Sequence, residues 1–453
     1  MVAGDADLRA GIDRPCRARP NLLLITVDDM NADSVGAFGA AVAGATPHID
    51  TLAAAGLRFD MAHVQVANCM PSRNVMWSGR YPHSSGIEGF KSLPKVDYSR
   101  LANCSGQAGY LTAIRHKLKD SSPTREPHWE LVLDNLPEAG RLHRKDAASY
   151  GLSTAAAIRA ANRADKPFAV LINIADPHVP FYGYNKQGEA INDPHVPSRV
   201  FAPREIPVPG FLPDDAAVRE ELSHYYNSVR RADDAVGAVL RALDASGQAE
   251  HTLVLFLADH GMPLPFAKTQ LYHHSTRTPL IVRWPGVTAP GSVDTRAYGV
   301  GSGFVADTAG DCRPPSARRP AGPVSSPLLR GERQDGREHV FKQYTENSGG
   351  QRRPMRAVQT PRYLYIFNPW SDGKRRQHSA TANTHTWRRM VELARQDAAV
   401  AARVHLLRHR VPEEFYDVVS DPDCRVNLID DPALREEMRR AARRARRLDG
   451  SHR

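Results

Sequence analysis

NLLLITVDDM, residues 21–30, sets a short apolar run directly before two aspartates. An unbroken run of this length reads as a strand buried on both faces, the central strand of a parallel sheet. Two more runs repeat the arrangement. FAVLINIA (168–175) ends in Asp176-Pro177-His178, and TLVLFLA (252–258) ends in Asp259-His260. A fourth, Tyr110–Ile114, leads into His116, Lys117 and Lys119. In open α/β sheets the functional site lies beyond the carboxyl ends of the strands, so these ends predict one convergent site. Crowded carboxylates repel unless a cation sits among them, and oxygen donors favour a hard divalent ion: Ca²⁺, Mg²⁺ or Mn²⁺. Each motif alone has a plainer reading, Asp-Asp as a turn or helix cap and Asp-His-Gly as an ordinary turn. The joint pattern carries the site.

Helical patterns lie between the strands, the signature of an α/β fold. Thr46-Pro47 opens one helix with a hydroxyl cap and an early proline, and Gly56 marks its far end. The clearest helix carries Val218, Leu222, Tyr225, Val229, Ala232, Val236, Leu240 and Leu243 at spacings of three and four, and Gly247 closes it. The proline-rich stretch 176–213 reads as loop. Farther on, Arg356–Gln359 and Tyr363–Phe367 form a hairpin, Phe415–Val419 adds a strand, and a basic helix runs from Ala433 to about Leu448. The expected architecture is a mostly parallel mixed sheet flanked by helices, with a small C-terminal α+β unit. Residues 1–19 read as a polar extension, 20–339 as the main domain, with 296–327 atypical, and 340–453 as the C-terminal subdomain.

Composition narrows the function classes. The 453 residues carry 60 Lys+Arg against 50 Asp+Glu, a net charge of +10. No recognised nucleic-acid motif accompanies the basic residues, so nucleic-acid binding is not expected. The chain lacks the run of about 18 apolar residues that a membrane span requires. Its N-terminus shows no apolar signal core, which makes a cytoplasmic location the default expectation. The five cysteines are odd in number and scattered, so no disulfide framework is implied.

Cys69 stands apart from the other four. In Asn68-Cys69-Met70-Pro71-Ser72-Arg73, the proline places Cys69 at a helix N-terminus, where the dipole and Arg73 favour anionic or polarised groups. The alternative is a small buried thiol. This stretch matches the C-x-P-x-R signature of the type I sulfatases, members of the alkaline phosphatase superfamily. TPHIDTLAAAGLRF (46–59), SGRYPHSSGI (78–87), AGYLTAIRHK (108–117), ADPHVPF (175–181), LADHG (257–261) and TPLIVRWPG (278–286) resemble the same family. DHGMPLPFAKTQLY (259–272), RPMRAVQTPRYLYIFN (353–368) and EFYDVVSDPDCRVNL (414–428) are most similar to its heparan N-sulfatase (sulfamidase) branch.

The resemblance implies that Cys69 is oxidised to formylglycine by a formylglycine-generating enzyme. The hydrated aldehyde is then the nucleophile, and its second hydroxyl expels sulfate. It implies metal ligation by Asp28, Asp29, modified Cys69, Asp259 and His260, with Ca²⁺ the first expectation and Mn²⁺ or Mg²⁺ the alternatives. Arg73 would hold the formylglycine, and Lys117 and Lys268 would neutralise the sulfuryl group. His178 would contact substrate and help protonate the leaving group. The implied substrate is a sulfated small molecule or glycan.

Three departures qualify this. His260 stands where the sulfamidase branch has asparagine; histidine occurs there in superfamily members that use Mn²⁺ and cleave phosphodiesters or phosphonates. Lys119 stands where many sulfatases have the histidine that collapses the sulfated intermediate, which makes it a candidate base. Residues 296–327 replace an apolar helix with an Arg/Pro/Gly/Ser-rich stretch, the composition that compensating frame shifts, or genuine divergence, would leave. The competing functions are a phosphonate or phosphodiester hydrolase and an inactive, anion-binding sulfatase-like protein. Specificity falls to loops around 84–105, 179–213 and 368–412. His273-His274 are read either as pocket lining or as an ordinary loop pair.

Overall fold

The computed structural model describes residues 19–96, 101–124, 128–298, 326–332, 335–348 and 351–450. The expectations for residues 1–18 and for most of 296–327 lie outside these.

The central sheet has eight strands. In chain order they are β1 (Asn21–Val27), β2 (Leu57–Phe59), β3 (Leu111–Arg115), β4 (Leu131–Val132), β5 (Phe168–Ile174), β6 (Thr252–Ala258), β7 (Leu280–Arg283) and β8 (Ser292–Asp294), arranged 8-2-7-6-1-5-3-4. β1 pairs parallel with both β5 and β6, while β7 runs antiparallel to β2 and β6. The sheet is therefore mixed, with a parallel centre.

Alternation along β1 explains its unbroken apolar run. Leu23, Ile25 and Val27 enter one core, whereas Leu22 and Leu24 enter the other. The first core is covered by α1 (Pro47–Ala54), α3 (Ala147–Arg163) and α4 (Ala216–Ala245), and the second by α2 (Cys69–Ser78). A strand clothed on both faces has no polar side to show.

Two details of α1 differ from expectation. Thr46 Oγ1 does not cap the helix; it accepts from Gly36 N at 2.8 Å and lies 3.1 Å from Asp50 Oδ1, pinning the preceding turn. Gly56 is no left-handed cap either. A Cβ there would stand 2.5 Å from the Val282 carbonyl oxygen, so close approach to β7 requires the glycine.

A second, antiparallel sheet comprises β9 (Val340–Tyr344), β10 (Met355–Gln359), β11 (Tyr363–Phe367) and β12 (Glu413–Asp417), in that order. Met355, Ala357, Leu364 and Ile366 join the first core, while Val358, Tyr365 and Phe415 pack with Met438, Ala441 and Ala445 of α5 (Arg435–Gly450). Among the described residues, no helix is long and apolar enough to cross a membrane.

Lys342 of β9 is fully buried where this sheet meets the main core. It donates to Gln359 Oε1 at 2.5 Å, and Gln359 Nε2 in turn faces His63 Nε2 and His273 Nδ1. Burial lowers the lysine to about 7. Between about pH 7 and the ordinary lysine value of about 10.4, the unfolded chain binds more protons than the folded one, so stability rises with pH across that window. Urea unfolding over this range should show that rise in the wild type and a flatter profile in Lys342→Met. An unchanged slope would show that Lys342 is not the group responsible.

Candidate active site

Strand register brings the site together. Val27 pairs with Ala258 on one side and Ile174 on the other, so the residues after β1 and β6 emerge side by side. Asp28, Asp29, Asp259 and His260 are all fully buried there. Asp29 turns back through a left-handed φ of 67°, and its amide donates to Asp259 Oδ1 at 2.9 Å.

Cys69 is the first residue of α2, with Asn68 as its N-cap. Its Sγ lies 3.3 Å from His260 Nε2. His260 Nδ1 lies 3.0 Å from the Gly261 carbonyl oxygen; as donor there, it leaves Nε2 to face Cys69 and Asp29 Oδ1, 3.1 Å away. One turn into the helix, Arg73 reaches beneath the cluster. It meets Asp28 Oδ1 at 2.9 Å, Asp259 Oδ2 at 3.1 Å, Thr26 Oγ1 at 2.8 Å and Asn173 Oδ1 at 2.6 Å.

Three further groups close over the top. Lys117 Nζ lies 2.7 Å from Asp28 Oδ2, and Lys268 Nζ lies 2.8 and 2.7 Å from the two oxygens of Asp29. His178 Nε2 is 3.9 Å from Asp29 Oδ2, with Nδ1 hydrogen-bonded to the Val179 carbonyl at 2.7 Å.

Electrostatics follow from the crowding. Burial opposes ionisation of Asp28, but Lys117 and Arg73 outweigh it and hold the carboxyl well below its ordinary range. Burial and then the charge of Asp28 push Asp259 well above that range. Burial lowers His260 to about 3 and His178 to about 4, with Asp29 opposing in each case. The Cys69 thiol is raised well above its ordinary value by burial, so the helix N-terminus does not yield a free thiolate.

Ligand atoms of Asp28, Asp29 and Asp259 lie within 4.8 Å of one another, as do those of Cys69, Asp259 and His260, and of Asp29, Cys69 and His178. This donor set, three buried carboxylates and an imidazole gathered at one place, suits one divalent cation.

Other residues fall elsewhere. Lys119 is exposed and does not line the cleft over Cys69; left-handed turns at His116 and Lys117 direct Lys117 inward and carry the chain away. Asp176 points away from the cluster to Lys145 and Arg231, 2.6 and 2.7 Å away. His273 joins Gln359, and His274 bridges Asp33 and Asp423, so neither lines the cleft.

The cleft has a volume of about 330 Å³. It is walled by Lys117, His178 and Lys268 at the Cys69 end and by Phe90, His378 and Asn383 farther out. The expected loops at 84–105 and 368–412 thus contribute, joined by Asn347 and Ser348, which carry no sequence signal. Thr26 and Asn173 were equally invisible, being strand residues whose role depends on the arginine they meet.

An ion that binds only the folded chain raises its melting temperature by mass action. Ca²⁺ or Mn²⁺ added to chelator-treated protein should therefore raise Tm saturably, and Asp29→Asn should abolish the shift. A shift that survives this substitution would place the ion elsewhere.

Comparisons with known proteins identify the family and the fold. A family model described as Sulfatase matches residues 20–307. The chain is 32% identical over 289 residues to N-sulphoglucosamine sulphohydrolase of Homo sapiens, covering 60% of this chain and 56% of that protein. It is 30% identical over 336 residues to iduronate 2-sulfatase of Mus musculus, covering 60% of each. The chain thus spans less than two thirds of the length of these two relatives. Among solved structures, phosphonate monoester hydrolase of Agrobacterium radiobacter shares the fold at TM-score 0.68 and 17% identity, covering 96% of both chains. With the family model covering more than half its residues, the chain belongs to the sulfatase family.

Proposed function

We propose that this protein is a formylglycine-dependent sulfatase that hydrolyses a sulfate ester or sulfamate and releases inorganic sulfate. The observation that carries the reading is the setting of Cys69. It occupies the first position of a buried helix, 3.3 Å from His260 Nε2, at the floor of a cleft whose near wall is Lys117, His178 and Lys268. A raised thiol pKa makes unmodified cysteine a poor nucleophile there, which favours a converted residue. A formylglycine-generating enzyme is the implied partner. The domain division at residues 339 and 340 belongs to the same proposal.

Each residue has work suited to its place. Arg73 is buried against Asp28 and Asp259 and would keep both oriented to hold a metal ion. Lys117 and Lys268 stand beside Cys69 and offset charge on the sulfuryl oxygens. His178 presents Nε2 toward the cleft and delivers a proton to the leaving oxygen or nitrogen. A bound sulfate, being anionic, favours the imidazolium that this requires. One divalent ion, Ca²⁺ ahead of Mn²⁺ or Mg²⁺, would be held by Asp28, Asp29, Asp259, His260 and modified Cys69. It would supply Lewis acidity toward the sulfuryl oxygen.

His260 favours a second reading, phosphonate or phosphodiester hydrolysis, because an imidazole donor also suits Mn²⁺. Paired 4-nitrophenyl sulfate and phenylphosphonate esters decide between them, with faster sulfate turnover expected.

Mass spectrometry of the Cys69 peptide after co-expression with a formylglycine-generating enzyme should find formylglycine. Only cysteine there would sink the mechanism. Because Lys119 is exposed, Lys119→Ala should keep turnover within about 3-fold, whereas His178→Ala should lose about 100-fold on a secondary alkyl sulfate, whose leaving oxygen needs the proton. A large loss in Lys119→Ala would restore it as the base.

A further inference from the structure

Residues 176–213 connect β5 to α4, and the only helical turn among them is Pro203–Glu205. Yet His178, two residues into this loop, lines the cleft with Nε2 at 3.9 Å from Asp29 Oδ2. Main-chain pairing to the sheet reaches Asp176, whose carbonyl accepts from Asp28 N at 3.2 Å; beyond it the loop meets a buried ion network.

Lys145 precedes α3 and is buried with its Nζ 2.6 Å from Asp176 Oδ1 and 2.7 Å from the carbonyl oxygen of His178. Arg231, from α4, donates through Nε to Asp176 Oδ2 at 2.7 Å. Its Nη1 donates to Asp193 Oδ2 at 2.8 Å and to the His195 carbonyl at 2.9 Å. Asp176 and Arg231 are buried as well. One carboxylate is thus shared by two cations, and each cation uses a remaining donor on a main-chain carbonyl of the loop. Asp176, Lys145 and the His178 carbonyl close a ring two residues long in sequence. The imidazole hangs from that ring, its own Nδ1 tied to the next carbonyl.

Buried charges are costly to desolvate, and apolar residues could staple a loop more cheaply. What an ammonium adds is a directed hydrogen bond to one carbonyl. We infer that Lys145 is a positioning residue: held by Asp176 and Arg231, its ammonium fixes the main chain of His178 so that the imidazole reaches the leaving-group side of the cleft. This rests on the proposed role of His178 in protonating the leaving group.

The test compares leaving groups in metal-loaded protein co-expressed with a formylglycine-generating enzyme. An activated phenolate departs without help, whereas an alkoxide needs the proton. Lys145→Met should lower kcat/KM for a secondary alkyl sulfate by about 10- to 100-fold while changing 4-nitrophenyl sulfate by less than about 3-fold. Lys145→Gln, which keeps an N–H donor for the carbonyl, should recover most of the loss and covers the case in which the methionine variant does not fold. Equal losses on both esters in these variants, or none, overturn the inference when His178→Ala itself shows the leaving-group pattern. Equal losses in His178→Ala overturn the role on which the inference depends, and the inference with it.

Discussion

A single buried guanidinium organises this molecule. Arg73 spans from α2 to the carboxyl ends of three strands, touching Thr26 and Asp28 of the β1 segment, Asn173 of β5 and Asp259 after β6. A charge fully withdrawn from water costs several kcal/mol unless it is paired and hydrogen-bonded. Here Nη2 meets two carboxylates and Nη1 a hydroxyl and an amide oxygen, all on three neighbouring strands, while Nε has no hydrogen-bond partner among the described residues. The arginine therefore fixes the helix that carries Cys69 to the sheet that carries the metal-ligand candidates. The contacts the structure gives Arg73 are with the carboxylates, hydroxyl and amide beneath the cluster.

The remaining cations divide by depth. Lys117 and Lys268 lie at the cleft and stabilise ionised aspartates. Arg435, Arg439, Arg443 and Arg444 of α5 lie on the water side of the antiparallel sheet, while Met438, Ala441 and Ala445 of the same helix pack inward. Net charge thus mixes buried groups that have specific partners with solvated ones such as those on this helix face.

Much of the fold was legible because strand burial writes itself into apolar runs, and the site because those runs ended in acid, imidazole and amine. Hairpin β10–β11 and the α4 stripe were readable for the same local reasons. What stayed hidden depended on partners distant in sequence. Asp176 resembles Asp28 and Asp259 in context, yet Lys145 and Arg231 claim it, and neither is marked by any motif. Lys119 sits at the right spacing, but two successive left-handed residues swing the chain out before it is reached. Lys342 belongs to no motif, and only its place beside Gln359, which faces His63 and His273 from distant segments, reveals it as buried.

The way the second sheet is seated has a consequence for cooperativity. Its strands do not rest on the α/β layer as a separate body; Met355, Ala357, Leu364 and Ile366 lie in the same continuous cluster as Leu23, Val170 and Phe256. A boundary drawn near residue 339 can separate chemical duties without separating folding units. Cutting the chain there would strip one wall from the main interior and leave an apolar sheet face with nothing to cover it. The two sheets should therefore melt in one transition, and damage to either should register as a loss of the whole rather than of a part.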